Sequence, residues 1–256
     1  MRRIALKIEY DGTDFYGFQL QPDVRTVQGR LEAAAERVTQ APSRVQGGSR
    51  TDSGAHAQGQ VAHFDTASEL PCGQIVRAMN YYLPEDAAVL DAQEVPEDFH
   101  SCFDAQSKVY RYRVVCSPVP HPLRRKRVLR THHALDPDLL HRCAELAGGT
   151  RDFASFGSET DQYDTTERTL IRSEWRRRED ELHYVVEGDG FLYKMVRTLV
   201  GTMIDVARGK YDIEAFRNIF DARDRRQAGQ TAPAHALTLV SLHYDEPLFE
   251  GVSEHR

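Results

Sequence analysis

The chain opens with an alternation of apolar and polar side chains. Ile4, Leu6, Ile8 and Tyr10 recur at every second position. A period of two places these four side chains on one face of an extended strand. The D-G-T tripeptide that follows has the composition of a turn. We therefore predict a strand with one apolar face at the start of the chain, closed by a turn.

Helical periodicity begins after this turn. Thr26 precedes apolar residues at positions 27, 31, 34 and 38, which is the spacing of a capped amphipathic helix. Pro71 opens a second helix, in which Ile75, Met79 and Tyr82 are expected to face inward. Further strands are predicted at residues 44–50, 60–65 and 88–95. The order strand, helix, strand, strand, helix, strand is that of a ferredoxin-like unit.

The second half of the chain repeats this order of elements. Its predicted helices start at Asp136, cover residues 191–208 before Gly209, and lie near 213–220. Its predicted strands cover residues 107–115, 169–176, 182–187 and 237–244. We therefore expect an α+β protein with two similar units, whose sheets could join side by side. The expected domains are residues 1–103 and 104–245, followed by a loose tail at 246–256.

Composition and charge restrict the class of protein. The chain of 256 residues has an ordinary hydrophobic share of 40%, and no apolar run is long enough to span a bilayer. The start of the chain leads into a strand and does not resemble a signal peptide. Four widely spaced cysteines without a C-x-x-C pair are typical of reduced thiols, so we expect a cytoplasmic location.

The net charge of −6 argues against nucleic acid as a partner, but the distribution of charge favours it. Basic residues cluster at positions 124–127, 176–178 and 223–226. Such runs are usually solvated faces. Here they accompany the alternation Tyr110, Arg111, Tyr112, Arg113, in which aromatic rings can stack on bases and arginines can meet phosphates.

The strongest candidate for chemistry is the segment G-G-S-R-T-D-S-G-A-H-A at residues 47–57. It places Asp52 two residues after Arg50, among glycines that allow sharp bends. An acid beside a cation stays ionised, and a positioned carboxylate can act as a nucleophile or base. A loop Asp that only caps a turn is the plainer interpretation.

This segment resembles the active-site motifs of two protein families. The string D-S-G-A resembles the active-site motif of aspartic proteases, which need a second carboxylate to share the proton. This chain has no second D-[ST]-G, although a homodimer could supply one. The longer string resembles the G-R-T-D-A-G-V-H-A signature of bacterial tRNA pseudouridine synthases of the TruA type, in which Asp52 matches the catalytic residue.

The resemblance to the pseudouridine synthases continues along the chain. The opening I-A-L-K-I-E-Y-D-G-T-D-F-Y-G-F-Q, the strings F-D-A-Q-S-K-V-Y-R-Y-R-V and G-D-G-F-L-Y-K-M-V-R, and the closing T-A-P-A-H-A-L-T-L-V-S-L-H-Y resemble the family's motifs in the family's order. The departures from the usual residues are at Ser49, Ser53, Ala55, Ala236 and the pair Tyr193-Lys194. None of them replaces Asp52, Tyr110 or Arg197.

The resemblance implies roles for individual residues. Arg197 would be the salt-bridge partner of Asp52, whereas from the sequence alone it is equally an arginine paired with any acid. Tyr110 would stack on the target uracil, although a strand tyrosine is ordinarily a core residue. Arg50 would help to fill the space left by the flipped base, Leu237 would line the pocket, and Arg111 would bind the RNA.

The resemblance also implies a fold and an activity. The two sheets would form one mixed, mainly antiparallel sheet with helices on one face and an RNA-binding cleft on the other. The protein would be a homodimer that isomerises uridine to pseudouridine in the anticodon stem–loop of tRNA, at tRNA positions 38, 39 and 40. Alternatives are a non-catalytic RNA-binding protein of the same fold and a dimeric aspartic protease.

The isomerisation needs no cofactor, and the sequence contains no nucleotide-binding glycine loop or recognised metal-ligand spacing. We therefore expect activity to survive dialysis against EDTA, measured as pseudouridine formed in tRNA. Loss of activity with the chelator and its recovery with added zinc would contradict this expectation.

Overall fold

The computed structural model describes residues 1–249. Its elements in chain order are β1 (Arg2–Tyr10), α1 (Val27–Thr39), β2 (Gln46–Gly47), β3 (His56–Thr66), α2 (Cys72–Tyr82), β4 (Ala87–Val95), β5 (Ala105–Cys116), β6 (Leu129–Thr131), α3 (Pro137–Ala147), β7 (Gly149–Asp152), β8 (Glu167–Arg178), β9 (Glu181–Gly188), α4 (Met195–Ala207), α5 (Ile213–Ala222) and β10 (Leu237–Tyr244). The predicted α+β class is therefore confirmed, and the strand pairs are mainly antiparallel.

The chain forms two compact units. The first contains residues 1–106 together with the described residues from Leu239, and the second contains residues 107–238. Most of the closing strand β10 therefore belongs to the first unit, although it follows the second unit in the chain. The domain boundary predicted between residues 103 and 104 remains a prediction.

The first unit has the ferredoxin-like strand order that its sequence predicts. Strand β1 lies between β4 and β3, and β2 pairs with β3. Leu6, for example, is opposite Ala62 on one side and Ala92 on the other. The buried residues Ile4, Leu6 and Ile8 on β1 belong to the core, as their alternation indicates.

Helix α1 has its predicted cap, and both α1 and α2 bury most of their predicted core positions. The hydroxyl of Thr26 accepts a hydrogen bond from the backbone N–H of Gly29 and caps α1. Ile75 and Met79 are fully buried on α2. The expectation that Tyr82 faces inward is wrong, since the residue is 51% exposed. It is the last residue of α2, beyond the turns that contact the sheet.

The second unit repeats the connection of the first. Strand β9 lies between β5 and β8, as β3 lies between β1 and β2, and β7 extends the edge at β8. The indole N–H of Trp175 reaches the sulfur of Met203 on α4, and the Ser173 hydroxyl donates to the Ala144 carbonyl on α3. These two helices therefore cover the same face of the sheet of this unit.

One helix and one strand differ clearly from their predicted bounds. Helix α4 begins at Met195, not at residue 191, because Lys194 has a left-handed backbone with φ of 62° that cannot continue a helix. The strand predicted at residues 44–50 is reduced to Gln46–Gly47. Strands β6 and β7 are too short to give a period in the sequence. The tail predicted at 246–256 lies mostly outside the described residues.

Gly201 on α4 allows the closing loop to lie directly against the helix. A Cβ atom at this position would overlap the carbonyl oxygen of Gln230. The neighbouring Thr202 hydroxyl accepts a hydrogen bond from the Gly229 N–H at 3.0 Å, which fixes the same loop. The close approach is therefore built into the packing of the second unit.

We expect Gly201→Ala to lower the free energy of unfolding by about 1–3 kcal/mol, because the loop must move to admit the methyl group. Urea unfolding measures this loss. Gly73→Ala on α2 is the matched control, since a Cβ there meets only the end of the Arg77 side chain. Equal stability of the Gly201→Ala protein and the wild type would contradict the packing described here.

Candidate active site

The loop that carries Asp52 starts at the end of a short strand. Gln46 and Gly47 pair with His63 and Ala62 of β3. The Gly48 N–H then donates to the Val61 carbonyl at 2.7 Å, and a Cβ on Gly48 would overlap the backbone of Ser101. The glycine is therefore required where the chain leaves the sheet.

Beyond this point a side chain replaces the missing strand partner. The Gln60 amide is fully buried. Its oxygen accepts from the Ser49 N–H at 3.0 Å, and its nitrogen donates to the Ser49 carbonyl at 2.6 Å. Both backbone groups of Ser49 are thereby satisfied by one side chain. Gln60 therefore fixes the chain three residues before Asp52.

The next anchor is the residue immediately before Asp52. The hydroxyls of Thr51 and Tyr10 lie 2.7 Å apart, and the Thr51 carbonyl accepts from the Phe18 N–H at 3.1 Å. Burial raises the pKa of Tyr10 to about 12, with the hydrogen bonds from Thr51 and Gln60 acting in the opposite direction. Tyr10 therefore stays neutral at physiological pH and serves as a structural hydroxyl.

Asp52 opens a tight turn. Its carbonyl accepts from the Ala55 N–H at 3.0 Å. Gly54 in this turn has φ of 80°, a conformation that side-chain-bearing residues rarely adopt, and its N–H donates to Phe15. Asp52 is half-buried, whereas Arg50 is exposed. The carboxylate is thus carried by a backbone that is fixed on both sides.

His56 holds the far end of the loop. Its Nδ1 atom lies 3.0 Å from the Gly12 nitrogen and 3.2 Å from a carboxylate oxygen of Asp11. A Cβ on Gly12 would overlap the Ala55 carbonyl, so the turn after β1 lies directly against the Asp52 loop. This position gives His56 a structural role in the first unit.

The second unit contains the remaining predicted site residues. Tyr110 is buried on β5, with its ring 5.2 Å from the Phe191 ring in an edge-to-face arrangement. Tyr112 lies on the same face, and Arg111 and Arg113 lie on the opposite one, as their alternation predicts. Tyr110 therefore lies on the helix-covered face, and Arg111 lies on the other.

Arg197 is clamped to the closing motif. Its guanidinium Nε donates to the Ala232 carbonyl at 2.7 Å, and its own carbonyl accepts from the Ala232 N–H at 3.1 Å. The Tyr112 hydroxyl donates to the Pro233 carbonyl at 2.8 Å. Burial raises the pKa of Tyr112, and the nearby Arg197 charge opposes this rise. Leu237, a few residues further on, is buried at the start of β10.

The basic clusters of the second half are largely compensated by acids. Arg124 contacts Asp180 at 2.7 Å and Glu181 at 2.9 Å, and Arg176 contacts Glu174. Burial opposes the ionisation of Glu181, yet hydrogen bonds from arginines and His183 lower the pKa of Glu181 to about 2. These arginines therefore form a charge network, and part of the positive charge of the clusters at 124–127 and 176–178 is compensated by acids.

Sequence reasoning missed the supports of the loop. The sequence pattern predicts Gln60 and Tyr10 only as strand residues, because nothing in the pattern marks a buried amide that pairs with a loop.

Within residues 1–249, no group of three or more His, Cys, Asp or Glu side chains could hold a metal ion. None of the helices described is long and apolar enough to cross a membrane.

Comparison with known proteins places this geometry in a family. The family model for tRNA pseudouridine synthase matches residues 7–104 and 143–245. The chain therefore belongs to the tRNA pseudouridine synthase family. It is 43% identical over 238 residues to tRNA pseudouridine synthase A of Halalkalibacterium halodurans, covering 93% of this chain and 90% of the relative. It is 41% identical to the Brevibacillus brevis protein of the same name, covering 95% and 100%.

Gln60→Leu tests the support of the candidate site. The substitution keeps the side-chain size but removes the two hydrogen bonds to the buried Ser49 backbone, each of which contributes about 0.5–1.5 kcal/mol. We expect lower stability in urea and a fall in turnover in whatever protein remains folded. Gln74→Leu on the exposed side of α2 is the control and should change neither quantity. Wild-type turnover and stability in Gln60→Leu would contradict the proposed support.

Proposed function

We propose that this protein isomerises uridine to pseudouridine in the anticodon stem–loop of tRNA, with Asp52 as the nucleophile. The observation that carries this proposal is the rigid loop of the first unit, which presents Asp52 in a chain that belongs to the pseudouridine synthase family. In the reaction the bond between ribose C1′ and uracil N1 breaks and a bond from C1′ to C5 forms. The proton on C5 leaves, and N1 gains a proton.

The loop suits this chemistry because it fixes the backbone before the substrate arrives. A nucleophile held in place loses little freedom on reaching the transition state. Ser49, Thr51 and Ala55 are all held by hydrogen bonds within the first unit. Asp52 would attack either the ribose or the base, and both routes need the same ionised carboxylate.

Arg197 would supply the charge that keeps this carboxylate ionised. Its half-buried side chain is oriented by the hydrogen bond from Nε to the Ala232 carbonyl. A guanidinium beside a carboxylate stabilises the charged form and lowers its pKa. The fork geometry of arginine would also aim the carboxylate, which lysine cannot reproduce.

The other proposed contacts bind and expose the target base. Tyr110 would stack on the uracil, with Leu237 beside it, after the base is flipped from its stem. Arg50, which is exposed on the Asp52 loop, would enter the vacated space. Arg111 lies on the opposite face of β5 from Tyr110, so it would contact phosphate away from this pocket. We further propose a homodimer in the cytoplasm, because one small subunit offers little surface to an L-shaped RNA.

Asp52→Asn and Asp52→Ala should lower turnover about a thousandfold or more, because losing a nucleophile removes the covalent route. Release of tritium from tRNA labelled at uridine C5 measures this turnover, and filter binding should show unchanged affinity for tRNA. Asp98→Asn, an exposed residue of the first unit, is the control. Residual activity within about tenfold of wild type would remove Asp52 from this role.

Arg197→Met should also reduce turnover strongly with a smaller change in tRNA affinity, since the charge acts on the nucleophile. Arg197→Lys should restore activity only in part. Arg208→Met at the end of the same helix is the matched control, because Arg208 pairs with Asp205 at 3.0 Å. Wild-type turnover in Arg197→Met would show that the pair is not needed.

A further inference from the structure

The second unit contains a separate cavity of about 310 Å³ at the end of β5. Its apolar wall is formed by Val115, Pro120, Pro122, Val128 and Leu129. The volume is within the range of sites that bind small organic ligands. None of the proposed site residues Asp52, Tyr110 and Arg197 lines it. The cavity is therefore a feature that the proposed chemistry does not use.

The loop that forms one side of this cavity is held in a fixed shape. The Arg124 N–H donates to the His121 carbonyl at 3.0 Å, and the Arg124 carbonyl accepts from Arg127 and Val128. The Arg124 guanidinium is bidentate to Asp180 and also contacts Glu181. The loop is thereby tied to β9 and the turn before it. The cavity is preformed, so a ligand need not pay for ordering it.

Cationic and hydrogen-bonding groups surround the apolar wall. Arg125, Arg130, His121 and His235 line the cavity together with Arg124, and no carboxylate lines it in the part of the chain described. Arg125 is exposed and uses one N–H to hold the Pro122 carbonyl at 2.7 Å. Its remaining donors can meet an anion. The lining therefore suits a ligand in which an apolar group is joined to a negative charge.

His121 adds a second, independent indication of a ligand. Its Nδ1 lies 3.1 Å from an Arg124 nitrogen, which can only donate, so Nδ1 is the acceptor and Nε2 has the hydrogen. Nε2 is buried and has no hydrogen-bond partner among residues 1–249. Buried donors are normally satisfied. A carbonyl oxygen of a bound base could provide that partner.

The cavity is far enough from Tyr110 to take a different nucleotide. Val115 and Tyr110 are both on β5, five residues apart. At about 3.3 Å per residue, this places them about 16 Å apart along the strand. A base stacked on Tyr110 could not also reach the wall at Val115.

We propose that this cavity binds a second, unpaired nucleotide of the tRNA, with the base against the apolar wall and the phosphate on Arg125. This inference rests on the proposed function, because it assigns a further contact to the same substrate. Apolar side chains can enclose an unstacked base, and arginines contact the phosphates of single-stranded nucleic acid. The contact would set affinity and orientation for tRNA and leave the chemical step unchanged.

Kinetics with full-length tRNA transcripts test the proposal. Arg125→Gln, and separately Leu129→Trp to fill the cavity, should each raise KM about tenfold while kcat stays at the wild-type value. Arg217→Gln on α5 is the control, since this exposed arginine lies outside the cavity and should leave KM unchanged. Thermal unfolding confirms that the variants are folded. Wild-type KM in both cavity variants, or a fall in kcat alone, would overturn the proposal.

A crosslinking experiment separates this proposal from the proposed function. Benzoylphenylalanine at the fully exposed position 123, between the lining residues Pro122 and Arg124, leaves the cavity open and should crosslink to one tRNA nucleotide other than the modified uridine. Arg125→Gln should lower the yield of this crosslink at tRNA concentrations below KM. This result does not require catalysis, so it can hold even if no pseudouridine forms. Crosslinks spread over many nucleotides, or confined to the modified uridine, would contradict a second nucleotide site.

Discussion

Where the short strand β2 ends, the buried amide of Gln60 forms hydrogen bonds with both backbone groups of Ser49. The position of the candidate active-site loop depends on these two hydrogen bonds. Pairing with a neighbouring strand would have kept the backbone at Ser49 in the sheet. Hydrogen bonds to water alone would have left this backbone mobile. A side-chain amide satisfies both backbone groups and still lets the chain turn outward. Asp52 therefore lies on a loop, as reactive groups often do, but on a loop with few alternative conformations.

In the second unit, a site residue is likewise held by hydrogen bonds to a loop. Arg197 binds the closing motif through both its side chain and its backbone at Ala232, and Gly201 lets the same loop approach one turn later. The helix and the loop are thus held together by hydrogen bonds. The arginine side chain is oriented before any substrate arrives, which is what a residue that organises a carboxylate needs.

Much of the fold follows from short-range patterns. The period-two alternation in β1 and the Thr26 cap of α1 were predicted and are confirmed, because burial of one face and satisfaction of helix ends are local demands. The start of α4 was wrong, since Lys194 adopts a left-handed backbone that only its surroundings impose. Tyr82 was assigned to the core from its spacing, which cannot tell where the sheet ceases to cover the helix.

The residues of the candidate site also differ in whether the sequence can predict them. Asp52 and Arg197 can be proposed from the sequence because they lie in motifs that resemble those of a known family. Gln60 cannot be found in this way, since an amide in a strand is ordinary until a loop backbone is placed beside it. The arginine clusters, conversely, predict more positive charge than the structure presents, because Asp180 and Glu181 pair with Arg124.

The most direct test of the whole account is a map of pseudouridine in unmodified tRNA transcripts treated with the purified protein alone. Carbodiimide labelling followed by primer extension locates each modified uridine. The account predicts modification confined to the anticodon stem–loop and complete dependence on added protein. Transcripts without any pseudouridine, or with pseudouridine only outside that stem–loop, would contradict it.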